Sequence, residues 1–212
     1  MKNELLSLGY SFEGISDTEV VAMALHKWGT DAIVKFNGFF AIAFFDSSKR
    51  SLTLCRDKYG QKPLYYSVLE KVVYFGSTEE TIPSRYVGKV RQESYIDFIT
   101  YGFVPAPNTM FERLKILEPA SCLSFCYEDT SISKKSHICY WTPKITNEIS
   151  NENDAYECFS NEMVKSIREG LQANVEVSCL YSGGVDSSLL FSFARDVNPE
   201  ICAITADFGR DD

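Results

Sequence analysis

The residues of this chain best suited to chemistry form one short run, Ser182-Gly183-Gly184-Val185-Asp186-Ser187-Ser188. Their types suit a phosphate. Two adjacent glycines let the backbone turn sharply and approach a ligand closely. A helix starting behind them offers unpaired N–H groups and the positive end of its dipole. The hydroxyls of Ser182, Ser187 and Ser188 add donors. Asp186 would repel a bare phosphate but suits an Mg²⁺ ion bound to one. The run is not a Gly-rich loop closing on Gly-Lys-Ser/Thr, nor the G-x-G-x-x-G of dinucleotide sites. A plain Gly-Gly turn with a Ser/Asp helix cap is the competing reading, and the surrounding elements decide between the two.

Those elements are a strand before the loop and a helix after it. Residues 175–181 read as a strand, 182–184 as a tight turn, 186–195 as a helix broken at Asn198-Pro199, and 201–208 as a second strand. One βαβ unit demands parallel pairing. A single unit cannot cover a parallel sheet on both faces, so the chain is expected to hold only the start of that domain. A helix is expected over 154–173. The polar stretch 142–153, carrying Pro143, reads as a linker.

The first part of the chain has a different pattern. A Ser/Asp cap at Asp17, an apolar stripe over 18–28 and Gly29 predict an amphipathic helix. A short helix over 30–36 follows. Residues 39–46 are apolar enough to predict a strand buried on both sides, and 51–57 run back beside it. A second hairpin is expected from 63–67 and 72–77, a short helix over 93–99, and two more strands over 114–117 and 121–127. Antiparallel strands after a helix argue a layered α+β domain.

Hydrophobic residues make up 45% of the 212-residue chain and charged residues 24%, which allows a sizeable core. A net charge of −8 disfavours a nonspecific grip on nucleic acid. No apolar run is long enough to cross a bilayer, and no secretory signal is visible, so the expected location is cytoplasmic with no membrane partner. Seven cysteines, at 55, 122, 126, 139, 158, 179 and 202, contain no C-x-x-C pair, and with two histidines there is no zinc-ligand spacing. They read as reduced thiols, Cys55 as a packing residue in a strand; Cys122 and Cys126 are the remote metal candidates.

The run at 182–188 resembles the pyrophosphate loop, S-G-G-x-D-S, of the N-type ATP pyrophosphatases. That resemblance puts pyrophosphate at Ser182, Gly183, Gly184, Asp186, Ser187 and Ser188, adenine near Leu180 and Ala206, and Mg²⁺ at Asp186. The preceding part is similar to class II glutamine amidotransferases. Ser16-Asp17-Thr18-Glu19-Val20 looks like their S-D-T-E-V element, 38–46 like their G-x-F-A-F-A-x-x-D strand, 56–66 like R-D-x-x-G-x-K-P-L-Y-Y, and Gly76-Ser77-Thr78-Glu79 stands near their G-S-E. Residues 101–111 and Tyr140-Trp141 resemble the interdomain region of asparagine synthetases. Ala120 replaces the glycine usual after Pro119.

The order of these runs resembles a glutamine-dependent asparagine synthetase. The implied fold is a partial αββα layer of the Ntn glutaminase type over residues 1–142, a linker at 143–153, and the first βαβ unit of a Rossmann-like PP-loop domain over 154–212. The resemblance makes Asp17 the ligand of the glutamine α-ammonium, with an N-cap as its structural alternative. Arg56, Asp57, Ser77 and Glu79 are expected to brace the fold. It implies ATP and Mg²⁺ as cofactors, glutamine and aspartate as substrates, and a homodimer as one state of the parent. In the parent, glutamine releases ammonia, ATP adenylates the aspartate β-carboxylate, and ammonia displaces AMP. Amidation of another acceptor, a sugar or secondary metabolite, and a non-catalytic paralogue are the alternatives. The family's nucleophile is an N-terminal cysteine with its α-amine as base. Here Met1 and Lys2 come first, and the Arg and N-G-E-I-Y-N run upstream of S-D-T-E-V are not seen. The 212-residue chain is therefore expected to be an inactive piece with no catalytic residue of its own.

Overall fold

A computed structural model describes residues 1–14, 16–128, 131–145, 148–173, 175–207 and 209. The chain divides into two compact units, Met1–Pro143 and Lys144–Asp212. In the first unit, α1 (Lys2–Ser7) and α2 (Asp17–Trp28) lead into a 3-10 segment, Gly29–Lys35. Strands β1 (Ala41–Asp46), β2 (Ser51–Arg56), β3 (Tyr65–Leu69) and β4 (Val72–Gly76) follow as two hairpins. Then come α3 (Ser84–Val87), α4 (Gln92–Tyr101), β5 (Lys115–Ile116), β6 (Ser121–Tyr127) and β7 (Ile132–Cys139). The strands form two antiparallel sheets, ordered β1-β2-β6-β7 and β4-β3-β5.

Side chains alternate across a strand, so each strand feeds two layers. Along β2, Cys55 faces the cluster containing Leu25, Ile33 and Phe36, whereas Leu52 and Leu54 face Leu64, Val73 and Leu117. In β6, Cys122 joins the first cluster, and Leu123 and Phe125 the second. A third cluster, Ile82, Val87 and Leu114 with Tyr65 and Tyr74, lies on the far face of the β4-β3-β5 sheet. Three apolar interfaces separate four layers, helix, sheet, sheet and helix. This is the expected αββα arrangement.

The two hairpins fall in the two different sheets. Two details differ from expectation. The segment 39–46 is not buried on both sides: β1 begins at Ala41 as an edge strand, and Phe39 and Phe45 are 58% and 57% exposed. Strand β7 had no sequence signal, because Ser133, Lys134, Lys135, Ser136 and His137 give no apolar alternation. A lysine-bearing polar strand suits a sheet edge, which must discourage further pairing.

One loop ties the layers together. The Asp57 carboxylate accepts N–H bonds from Phe40 (3.3 Å), Tyr59 (3.2 Å), Gln61 (2.9 Å) and Lys62 (2.9 Å). Burial alone would raise its pKa, but these four donors outweigh it and hold the carboxyl below the usual range. Arg56 donates to the carbonyls of Lys62, Leu117 and Gly60. Gly60 has φ +65°, and a Cβ there would meet Arg56 Cζ and Pro119 Cγ at 2.9 Å. The Tyr140 hydroxyl donates to the Arg56 carbonyl (2.8 Å), and the ring of Trp141 meets Tyr59 edge to face. Arg56 and Asp57 are braces, as expected.

In the second unit, α5 (Glu152–Gly170) begins where the Asn151 side chain accepts the Asn153 N–H, two residues before the expected start. Strand β8 (Ser178–Leu180), α6 (Val185–Val197) and β9 (Cys202–Ile204) form a βαβ unit with β8 and β9 parallel. Ile167, Ala194 and Ile201 make its small core. Both strands are shorter than expected, since each finds backbone partners at only three paired positions. Phe208, at the end of the expected second strand, lies outside the described residues. Among the described residues, no helix is long and apolar enough to cross a membrane.

Candidate functional site

The first unit contains a cleft of about 1140 Å³ between the start of α2 and the edge of β1, with Asp17, Phe40, Lys62 and Ser77 among its walls. The S-D-T-E run is divided between two jobs. Ser16 is the N-cap of α2, its hydroxyl accepting the Thr18 N–H at 3.2 Å. Glu19 reaches back to accept the N–H groups of Glu13 and Gly14, both at 3.1 Å, which lowers its pKa and closes the preceding loop. Asp17 is the first residue of the helix itself, so the alternative of an Asp17 cap is set aside. Its carboxylate is exposed at the cleft, and among the described residues it has no partner.

The braced loop and the residues after β4 also contribute to the wall, through Lys62, Pro63, Ser77 and Thr78. A side chain at Gly76, the last residue of β4, would run into Thr81, so glycine leaves room for that packing; Ser77 follows it in the cleft wall. Ser77, expected to brace the fold, lies instead in the cleft wall with no hydrogen bond of its hydroxyl among the described residues. Glu79 is part-buried, and burial, then the neighbouring Glu80, raises its pKa. Sequence reasoning passed over Lys62. The available signal was its place inside the R-D-x-x-G-x-K run, where the two braces converge.

The second candidate lies at the carboxyl ends of β8 and β9. Tyr181 donates its N–H to the Ile204 carbonyl at 2.8 Å, extending the pairing to the loop. Gly183 adopts φ +77°, a conformation natural to glycine. Gly184 is the N-cap of α6, and no side chain caps that helix. The Ser182 and Ser187 hydroxyls lie 3.0 Å apart; Ser187 also donates to the Gly184 carbonyl, and Ser188 to the Tyr181 hydroxyl at 3.2 Å. Asp186 is exposed in the first turn and has no partner among the described residues. Leu180 and Ala206 are both exposed, one at the end of β8 and one just past β9. In an open parallel sheet this edge is where ligands bind. The uncapped, exposed helix start fits a polyphosphate; Asp186 stands as a single carboxylate for a metal ion.

Two of the seven cysteines are buried in the core, and Cys139, Cys158 and Cys202 are exposed. Cys55 and Cys122 are buried opposite one another on β2 and β6, with sulfurs 2.8 Å apart. The contact with the Cys122 thiol, reinforced by burial, pushes the Cys55 thiol up from its usual range, and Cys55 is fully buried. Cys122 and Cys126 are four residues apart on β6, about 13 Å at the usual rise, too far to share an ion. Among the described residues no cluster of His, Cys, Asp and Glu could hold a metal.

Residues 1–141 match the glutamine amidotransferase domain family, and residues 159–212 match the asparagine synthase family. The chain belongs to the glutamine amidotransferases, and its order of segments is that of the asparagine synthetase family. It is 27% identical over 209 residues to asparagine synthetase [glutamine-hydrolyzing] 1 of Bacillus subtilis, covering 98% of this chain and 32% of that protein. A putative asparagine synthetase of Mycobacterium tuberculosis is 26% identical over 96% of the chain and 32% of its own length. Amidase chry2 of Gibberella zeae is 26% identical over 84% of the chain and 26% of its own. The chain thus spans between about a quarter and a third of the length of these relatives. Among solved structures, a glutamine phosphoribosylpyrophosphate amidotransferase of Bacillus subtilis aligns with TM-score 0.42 at 15% identity, over 96% of this chain and 42% of that one.

Proposed function

We propose that the chain is part of a glutamine-dependent asparagine synthetase, with a glutamine-binding unit over residues 1–142, a linker over 143–153 and an ATP-binding unit over 154–212. In this reading the whole protein forms asparagine from aspartate, taking nitrogen from glutamine and energy from ATP. Asp17 receives the glutamine α-ammonium, for which an unpartnered carboxylate in a cleft is the fitting chemistry. Ser182, Gly183, Gly184, Ser187 and Ser188 receive the pyrophosphate of ATP, and Leu180 and Ala206 flank the adenine. Asp186 holds Mg²⁺, which supplies charge neutralisation to the phosphates.

The observation that carries the reading is the uncapped start of α6 behind a glycine turn, in the same chain as a cleft with a free Asp17. Calorimetric titration of the chain with ATP and Mg²⁺ tests it. Binding should be lost in the double variant Ser182→Ala, Asp186→Ala. Equal binding by a folded double variant would sink the assignment of the loop.

A second reading concerns the acceptor only. One relative carries the name amidase rather than asparagine synthetase. Amidation of a different carboxylate would keep both proposed sites and change the third substrate.

A further inference from the structure

We propose that Cys55 and Cys122 form a modification site, two thiols that close into a disulfide stapling β2 to β6 inside the first unit. The chain has seven cysteines, and among the described strand pairs only these two stand opposite one another. The ladder fixes how they meet. The Tyr127 N–H donates to the Arg50 carbonyl at 2.8 Å, one step before the β2–β6 pairing begins. From Ser51 opposite Cys126 to Cys55 opposite Cys122 the register has no shift. Hydrogen-bonded pairs alternate along such a ladder, so Cys55 and Cys122 form a non-hydrogen-bonded pair, with Cα atoms about 4.5 Å apart and side chains at their closest. A disulfide spans Cα separations of about 4.4–6.8 Å. Both side chains point into the cluster with Leu25, Ile33 and Phe36, and their sulfurs are 2.8 Å apart. A bonded pair needs about 2.0 Å. Small rotations of the two side chains close that gap with the strands in place.

The step is thiol–disulfide exchange with a small disulfide such as oxidised glutathione. One cysteine thiolate attacks a sulfur of the reagent, giving a mixed disulfide and releasing one small thiol. The second cysteine attacks its partner's sulfur in the mixed disulfide. The cross-strand bond forms, and the second small thiol leaves. The cysteines are oxidised, the reagent is reduced, and the two cysteine protons end on the released thiols. Burial decides when this happens. Cys55 is 0% and Cys122 1% exposed. Their mutual contact, then burial, raises the Cys55 pKa, so the folded unit holds little of the reactive thiolate and admits no reagent. The pair closes before the first unit folds or while it is open, and packing then shields the bond from reductants. It is a latch set during folding rather than a fast sensor. Cys55 directly precedes Arg56 and Asp57, so the bond ties the start of the bracing loop to β6.

The test uses the full chain, refolded from urea either with reduced and oxidised glutathione or with dithiothreitol. Peptide mapping without reduction should find Cys55 joined to Cys122 in the first sample. That bond should resist dithiothreitol in buffer and yield to it in urea. Fluorescence of Trp28 and Trp141, both in the first unit, then follows melting. The bridged chain should melt about 5–15 °C above the reduced one, the shift for a disulfide in a domain of this size. Cys122→Ala should lose both the bridge and the difference. The comparison of the two parent samples stands even if that variant folds poorly. A refolded chain with no Cys55–Cys122 bond, with either cysteine joined to another partner, or with a bond that lowers the melting temperature overturns the proposal.

Discussion

Replacing Asp57 by Asn removes a charge and one acceptor from the best-connected side chain of the first unit. Oδ1 accepts from Tyr59 and Gln61, and Oδ2 from Phe40 and Lys62. Whichever way the Asn amide turns, two N–H groups keep an oxygen and two face an NH₂ that cannot accept. Asp57 is only 1% exposed, so water cannot rescue the orphaned donors. Two hydrogen bonds to a charged group at about 1.5–3 kcal/mol each put the loss at roughly 3–6 kcal/mol. A domain of this size has only about 5–15 kcal/mol in total. Both tryptophans, Trp28 and Trp141, lie in the first unit, so their fluorescence in a urea titration follows that unit alone. The pH dependence gives a second check. The folded-state pKa of Asp57 lies below its unfolded value. Its contribution is therefore fully present above the unfolded value of about 4, and is lost as pH falls through the folded one. The deficit of Asp57→Asn should be largest near neutrality and shrink in acid. A deficit under about 1 kcal/mol at pH 7, below the net worth of even one charged hydrogen bond, would refute the account of Asp57 as the central brace.

Two further predictions concern neighbouring positions. Gly60→Ala should destabilise the first unit by about 2 kcal/mol or more. The positive φ alone costs an L-residue about 1–2 kcal/mol, and the new methyl meets Arg56 and Pro119; urea unfolding followed by tryptophan fluorescence measures it. Ser16→Ala should cost about 1 kcal/mol of stability by removing the α2 cap, whereas Asp17→Asn should leave the same unfolding curve within about 0.5 kcal/mol, as an exposed side chain without partners should.

The sequence was most legible where one residue carries one job. The glycine turn at 183–184 and the helix behind it stand where strand, turn and helix signals placed them, because φ and capping are local properties. The departure at Ala120 is explained in the same terms: it adopts φ +52°, the conformation that makes glycine usual at that point. Pairing was less legible. Both hairpins were expected, but their assignment to different sheets depends on β5 and β6, which come some fifty residues later and intervene beside β3 and β2. The burial of β1 misled for the same reason. An apolar run reports what a strand could cover, and the neighbouring elements decide what it does cover.

The site was harder still, because residues adjacent in sequence divide between holding the fold and facing the cleft. In S-D-T-E the serine and glutamate bond to backbone, and the aspartate between them is left free. In the R-D-x-x-G-x-K run the arginine and aspartate do the bracing, and the lysine they pin carries the free charge. A buried charge must be hydrogen-bonded, whereas a charge that takes a ligand must keep a donor or acceptor site open to it. In these two runs the roles fall to neighbouring residues. Rigid backbone is what lets an exposed side chain bind without first paying to be ordered. Reading such a motif as wholly structural or wholly functional misses this division, which appears only when each polar atom is followed to its partner.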